Sequence, residues 1–335
     1  MRRTIGIVRE AYSKWERRVP LTPAQVEELV KARNVQVLVQ PSPRRVFTDH
    51  QYAAAGATIT DDLSGASAIF GVKQVPVPDL LADKTYMFFS HTIKAQPENM
   101  ALLDACLARN VRLIDYECVR ANGEAMAPRL IAFGEFAGKS GMVNAFHGLG
   151  QRLLSLGYST PFLSVAPTYT YPDYSAACAA LGQVGAQIRD WGLPAEHAPF
   201  VVGIAGGGNV ARGVQHAFSQ LGDAVTMVEP SELAALSALH GTTGEHQHRV
   251  YGVNVPTTYM VQPPPASRPD GGYVHFDEFE YFARPEGYVP VFHERVAPHL
   301  SCLGIGRRRL RRALLVSRRD RRVEILFLLR HETCW

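Results

Sequence analysis

The sequence predicts an α/β chain of two doubly wound domains, each a parallel sheet covered by helices on both faces. Three observations carry this expectation. From Thr4 to Val228, short Val- and Ile-rich runs alternate with stretches of helical period, the alternation that feeds a parallel sheet. The run Phe200 to Ala205 empties into Gly206-Gly207-Gly208 where a helical pattern (Val210, Val214, Ala217, Phe218, Leu221) begins, so strand, tight turn and helix follow one another. At 335 residues the chain has length for two ordinary domains with cores of their own.

Composition narrows the class. A hydrophobic fraction of 46% with 20% charged residues is that of a globular protein. No apolar run reaches membrane-spanning length, and Thr4 to Val8 reads as a strand with no signal segment before it. No membrane partner is expected, and the reading favours a cytoplasmic protein. The five cysteines are odd in number and lack C-x-x-C spacing, which argues against a disulfide framework or a metal site and for a reducing compartment. The net charge of +4 is local: residues 301–335 carry ten Arg and three acidic residues, leaving −3 for residues 1–300. The body therefore lacks the basic stripe that a nucleic acid needs.

The elements follow in order. Thr4 to Val8 is a strand; Thr22 is a good N-cap with Pro23 at N1, so a helix runs from Pro23 to about Ala32. Strands are expected at Val35 to Val39, Ala68 to Val72, Tyr86 to Phe89 and Val111 to Ile114, with a short helix at Gln51 to Ala55 and a longer one at Asn99 to Ala108. Phe133 to Gly157 is helical and rich in glycine, with Phe136, Met142, Val143, Phe146, Leu149, Leu153 and Leu154 as packing positions; it reads as a connector between the domains. Tyr174 to Ile188 is a helix and Val225 to Val228 a strand. Ser231 to Pro298 reads as loop-rich, broken by Pro263-Pro264-Pro265 and Gly271-Gly272.

In a parallel sheet ligand-handling residues gather at the C-terminal strand ends. Three polar sites fall there: Lys73, His91, and Asp115 with Glu117. A Lys and a His facing one crevice can share acid/base work, although each could equally be a loop or capping residue. Arg18, in the turn after the first strand, suits bidentate grip of a carboxylate, while Arg17 beside it reads equally as surface charge. Gly206, Gly208 and Ala211 fit the G-x-G-x-x-G/A spacing of dinucleotide binding, with helix N–H groups facing the phosphates. Glu229, about twenty residues on, stands where a ribose 2′-hydroxyl is commonly bound, which would favour NADH. His240, His246 and His248 match no metal motif and are expected on the surface.

Several segments also resemble one family. Arg18-Val-Pro-Leu-Thr-Pro, Gly71-Val-Lys, Phe88-Phe-Ser-His-Thr-Ile-Lys-Ala-Gln, Leu113-Ile-Asp-Tyr-Glu, His147-Gly-Leu-Gly-Gln-Arg-Leu-Leu, Gly157-Tyr-Ser-Thr-Pro-Phe and Gly206-Gly-Gly-Asn-Val are similar to the lysine-ketoglutarate reductase family. That family is the saccharopine-forming half of alpha-aminoadipic semialdehyde synthase, within the wider alanine dehydrogenase and transhydrogenase alpha superfamily. The resemblance covers roughly residues 4–303. It implies two Rossmann-like domains with a cleft between them: a substrate domain at 1–132, a helical connector at 133–157 and an NAD(P)-binding domain at 158–300. It implies reductive condensation of L-lysine with 2-oxoglutarate to saccharopine, with NADPH as the family's usual cofactor and NADH as the alternative. Lys73 and His91 match the acid/base pair, Arg18 a carboxylate partner and Glu117 a partner for the lysine amine. Asp115, Lys94 and Gln96 are implied as further substrate contacts, and Gly206, Gly207, Gly208, Asn209, Val210 and Glu229 as cofactor contacts. Family members occur in mitochondria and cytosol, and a homo-oligomer is left open.

The resemblance stops where composition changes. After Gly304 comes Arg307-Arg308-Arg309-Leu310-Arg311-Arg312, as a shifted reading frame would produce, so residues 301–335 are expected to be an aberrant basic tail and the second domain incomplete. A genuine basic extension is the other account. Two further functional readings stay open: an alanine dehydrogenase-like enzyme, and a non-catalytic fragment that binds ligand without turnover.

Overall fold

Two separate parallel sheets organise the chain. The computed structural model describes residues 3–123, 127 and 129–255, with the strand segments 261–262, 289–290, 300–305 and 323–328. The chain divides into two units, residues 1–132 and 133–335.

The first unit contains β1 (Thr4–Ile7), α1 (Pro23–Arg33), β2 (Gln36–Val39), α2 (Asp49–Ala54), β3 (Thr58–Ile59), β4 (Ala68–Phe70), β5 (Thr85–Phe88), α3 (Pro97–Ala108) and β6 (Arg112–Asp115). Its six strands lie in the order β3-β2-β1-β4-β5-β6, every pairing parallel. The order reverses direction between β1 and β4, which is where open α/β sheets bind their ligands. Each face has its own core. Ile7, Val26, Val37, Val39, Tyr52 and Ala55 pack on one side with α1 and α2, and Leu38, Ile69, Tyr86, Phe88, Leu102 and Cys106 on the other with α3. The capping residue is the one the sequence marks: the Gln25 N–H donates to Thr22 Oγ1, and the Thr22 N–H donates to Gln25 Oε1 at 2.8 Å, a reciprocal cap.

The second unit contains α4 (Gly134–Ser155), α5 (Tyr174–Trp191), β7 (Phe200–Ala205), α6 (Asn209–Phe218), β8 (Val225–Val228), α7 (Leu233–Ala238), β9 (Val250–Val255), an antiparallel pair β10 (Val261–Gln262) and β11 (Val289–Pro290), then β12 (Leu300–Ile305) and β13 (Val323–Leu328). The five-stranded parallel sheet runs β12-β13-β7-β9-β8. Two expectations are corrected here, and the strands near the end of the chain are located. Residues 250–255 form a strand beside β7, inside a stretch read as loop. Gly252 and Asn254 break the apolar run, and Gly252 is required because a Cβ there would stand 2.6 Å from the Phe218 ring. In α4, Phe136 and Leu154 are exposed, because the buried stripe follows Met142, Val143, Phe146, Leu149 and Leu153. Finally, parts of the basic tail lie within the sheet: β13 pairs with β7, and β12 with β13.

Helix α4 belongs to the second unit and shares its core with α5 and α6 through Phe146, Phe162, Phe200 and Phe218. The glycines decide how closely α4 and α6 approach. A Cβ on Gly138 would lie 2.0 Å from the Val210 carbonyl oxygen, and one on Gly213 the same distance from that of Glu135. Gly141 and Gly148 instead face open space. Gly213→Ala is therefore expected to destabilise the protein by about 2 kcal/mol or more. Gly141→Ala and Gly148→Ala should each stabilise it by about 0.5–1 kcal/mol, as read from urea unfolding midpoints.

Candidate active site

In the first unit the C-terminal ends of β1, β4, β5 and β6 lie side by side, and each delivers charged side chains. After β1 come Glu10, Glu16 and Arg18. The Glu10 carboxylate accepts the N–H groups of Val72 at 2.6 Å and Lys73 at 3.0 Å, so it ties the loop after β4 to the end of β1 at the switch point. Burial pushes the Glu10 carboxyl up to about 6, and the two N–H donors only partly offset it. Glu16, itself buried, accepts Arg18 Nε at 2.8 Å and Nη2 at 2.6 Å. Burial alone would raise its carboxyl, but the Arg18 guanidinium and the Lys73 ammonium hold it below the ordinary carboxylate value. Lys73 is 7% exposed, so it is no loop lysine in solvent.

After β5 the chain makes a turn over Thr92–Lys94, bracketed by two left-handed residues, His91 at φ 58° and Ala95 at φ 50°. Such angles are costly outside glycine and persist where neighbours hold them. Ser90, fully buried, does so: its hydroxyl donates to Asp115 Oδ2 and accepts the Thr92 N–H at 3.1 Å. Asp115 Oδ1 accepts the Glu117 N–H at 2.8 Å. Both oxygens of Asp115 are thus engaged within the protein. Asp115 joins the loop carrying His91 to the turn carrying Glu117.

Glu117, its side chain 4% exposed, gathers three cations or potential cations. Oε2 meets His91 Nδ1 at 2.9 Å, and Oε1 meets Arg129 at 3.0 Å and Lys94 at 3.3 Å. Burial would raise its carboxyl, but the His91 hydrogen bond and the neighbouring charges hold it below the ordinary value. The phenol of Tyr116, pushed up first by burial and then by Glu10, packs edge-on to Phe89 with centroids 5.2 Å apart. Gln96 stands at the N-cap of α3 and accepts from Asn99 Nδ2 at 3.3 Å, within the turn rather than in the charged row. Glu10 and Arg129 have no signal in the sequence, because their roles depend on strands distant in the chain.

In the second unit the glycine turn has the shape a dinucleotide needs. Gly206 has φ 85°, and no atom lies within 4 Å of where a Cβ would stand on Gly206, Gly207 or Gly208. Gly208 caps α6 without a side-chain hydrogen bond, so Asn209 and Val210 open a helix whose first N–H groups face this cradle. The residues fit a nicotinamide dinucleotide there. Glu229 is not brought to it: β9 lies between β7 and β8, so Glu229 follows a strand two places from the glycine strand. Of the three histidines expected on the surface, His246 is buried, its Nε2 3.0 Å from the Thr242 carbonyl oxygen. His248 Nδ1 lies 2.7 Å from the Arg189 carbonyl oxygen. No group of three metal-binding side chains occurs among the described residues, and no helix there is long and apolar enough to cross a membrane.

The parallel sheets and the row of strand-end residues define an α/β protein. Residues 6–137 match the family alanine dehydrogenase/PNT, N-terminal domain. The chain is 42% identical over 310 residues to the alpha-aminoadipic semialdehyde synthase of Arabidopsis thaliana, covering 89% of this chain and 28% of that protein. The mitochondrial synthase of Rattus norvegicus is 39% identical over 299 residues, covering 89% and 30%. The saccharopine dehydrogenase (NAD(+), L-lysine-forming) of Neurospora crassa is 30% identical over 229 residues, covering 65% and 57%. A solved L-alanine dehydrogenase aligns at TM-score 0.43 with 19% identity, covering 76% of this chain and 61% of its own. The chain spans under a third of the length of the two synthases.

Two of the perturbed carboxyls, Glu10 and Glu117, give opposite pH dependence. Glu10 binds its proton more tightly folded than unfolded, so its contribution to stability is complete below pH 4.5 and lost as pH rises through about 6. Glu117, held below 4.5, contributes above that pH and loses its contribution as pH falls through its folded value. Urea midpoints should show that Glu10→Gln removes the decline between pH 4.5 and 6, and that Glu117→Gln lessens the loss below pH 4.5.

Proposed function

We propose that this chain forms saccharopine by condensing the ε-amine of L-lysine with 2-oxoglutarate and reducing the resulting imine with NADPH. The observation that carries the reading is the row Arg18, Lys73, His91 and Glu117 along one sheet edge, in a chain 42% identical to an alpha-aminoadipic semialdehyde synthase. The reaction requires a neutral amine, loss of water from the carbinolamine, and a proton balance at each step. Arg18, its plane fixed by Glu16, takes a substrate carboxylate. Lys73, buried beside Glu16, donates to the keto oxygen and carries the proton with which it leaves as water.

His91 accepts the proton that the attacking amine releases. Its Nδ1 is committed to Glu117, which fixes the ring and leaves Nε2 for exchange with substrate. Glu117 acts here as the orienter of His91 rather than as an amine ligand, since Arg129 and Lys94 already share its other oxygen. The nicotinamide, when bound, supplies the hydride; the glycine turn at Gly206–Gly208 receives the dinucleotide phosphates. The cofactor preference for NADPH and the substrate pair are parts of the same proposal.

Steady-state assays at the nicotinamide absorbance band, with lysine and 2-oxoglutarate, test it. Lys73→Ala and His91→Ala should each lower kcat by about 100-fold or more without loss of fold by circular dichroism. Unchanged turnover in either variant contradicts the assigned role. A folded wild-type chain that binds NADPH but does not turn over contradicts the catalytic reading.

A further inference from the structure

The strand order of the second unit relocates the site that distinguishes NADPH from NADH. In the usual dinucleotide-binding arrangement, the strand beside the glycine strand ends in the acidic residue that holds the ribose 2′-hydroxyl. Here the neighbour on that side is β9, with Ile204 opposite Asn254 and Ala205 opposite Val255. The Gly206 N–H donates to the Val255 carbonyl oxygen at 3.0 Å, so β9 reaches the level of the glycine turn. β8 lies beyond it: Val228 is level with Val253 and, through it, with Gly203. Glu229 therefore stands level with Asn254 but one strand further out, about 10 Å to the side of β7 by strand spacing. A glutamate side chain does not span that gap.

The end of β9 carries no carboxylate. It presents Asn254, exposed, whose Oδ1 accepts Gln215 Nε2 of α6 at 2.7 Å. One turn earlier on α6 stands Arg212, also exposed, whose guanidinium donates to Asn209 Oδ1 and is thereby turned toward the glycine end of the helix. Residues three apart on a helix share a face, so Arg212 and Gln215 lie on the side of α6 that meets β9. An amide pair with an adjacent guanidinium repels no anion and offers donors to a phosphate.

We infer that Arg212, Gln215 and Asn254 form the adenosine 2′-phosphate subsite of this chain, and that Glu229 has no part in cofactor choice. The inference rests on the dinucleotide reading of the glycine turn and adds to it the residues that select NADPH. Calorimetric titration of the full chain with 2′,5′-ADP and with 5′-AMP tests it without turnover. The wild-type chain should bind 2′,5′-ADP at least about tenfold more tightly, the lower range of one bidentate charged contact. Arg212→Gln should bring the two affinities together, and Asn254→Asp, nearly isosteric, should reverse the preference. Glu229→Gln should leave the ratio unchanged.

A ratio that responds to Glu229→Gln and not to Arg212→Gln or Asn254→Asp overturns the inference while sparing the dinucleotide reading. Equal or weaker binding of 2′,5′-ADP by the wild type does the same. Binding of neither fragment by the folded chain overturns both.

Discussion

The charged row of the first unit depends on one buried carboxylate. Glu117 is almost without solvent, and a lone ion in that position would be driven to neutrality. It stays charged because His91, Lys94 and Arg129 converge on it from three segments. That convergence fixes the ring of His91 at the end of β5 and holds the turn after β6 against it. Asp115 performs the matching structural task one residue pair earlier, by accepting Ser90 and the Glu117 N–H. On the other side of the switch point, Glu10 joins β1 to the loop of Lys73. The edge is thus held together by carboxylates bonded within the protein itself.

The second unit is governed by close backbone approach. Gly138 and Gly213 let α4 and α6 cross without side chains between them, and Gly185 does the same for α5 against the Leu221 carbonyl, 1.9 Å from where a Cβ would stand. The glycines that look costly in a free helix are thus bought back in packing. Their consequence is positional: α6 is pinned so that its N-terminus opens on the glycine turn, with Asn209 lying against Gly134 at the start of α4. On the other side of α6, Arg212 is exposed and Gln215 half-buried.

Much of this was legible in the sequence, for identifiable reasons. The alternation of apolar runs with helical patterns marks β1, β2, β4, β5 and β6, and β7 with α6, because a sheet buried on both faces demands continuous apolar strands, whereas the two-residue β3 is too short to leave such a signal. Thr22, Pro23 and the three glycines are local signals and carry their geometry with them. Strand ends also locate Lys73, His91 and Glu117, since a parallel sheet puts them on one edge. What the sequence conceals is strand order. β9 contains Gly252 and Asn254 in a stretch broken by turn residues, so its place beside β7 emerges only from pairing, and with it the displacement of Glu229. The bonds of Asp115 to Ser90 and the Glu117 N–H likewise emerge only from the fold, and His246 looks exposed until the fold buries it.

The proposed condensation forms a carbon–nitrogen bond between two small substrates, and that bond can be observed directly. The purified chain would be incubated with NADPH, 2-oxoglutarate and lysine labelled with 15N at the ε-position, and the products separated and weighed by mass spectrometry. A conjugate with the mass of saccharopine that retains the 15N label is the predicted result. Absence of that conjugate, with label remaining in free lysine while ammonia and pyruvate drive nicotinamide oxidation to alanine, would contradict it.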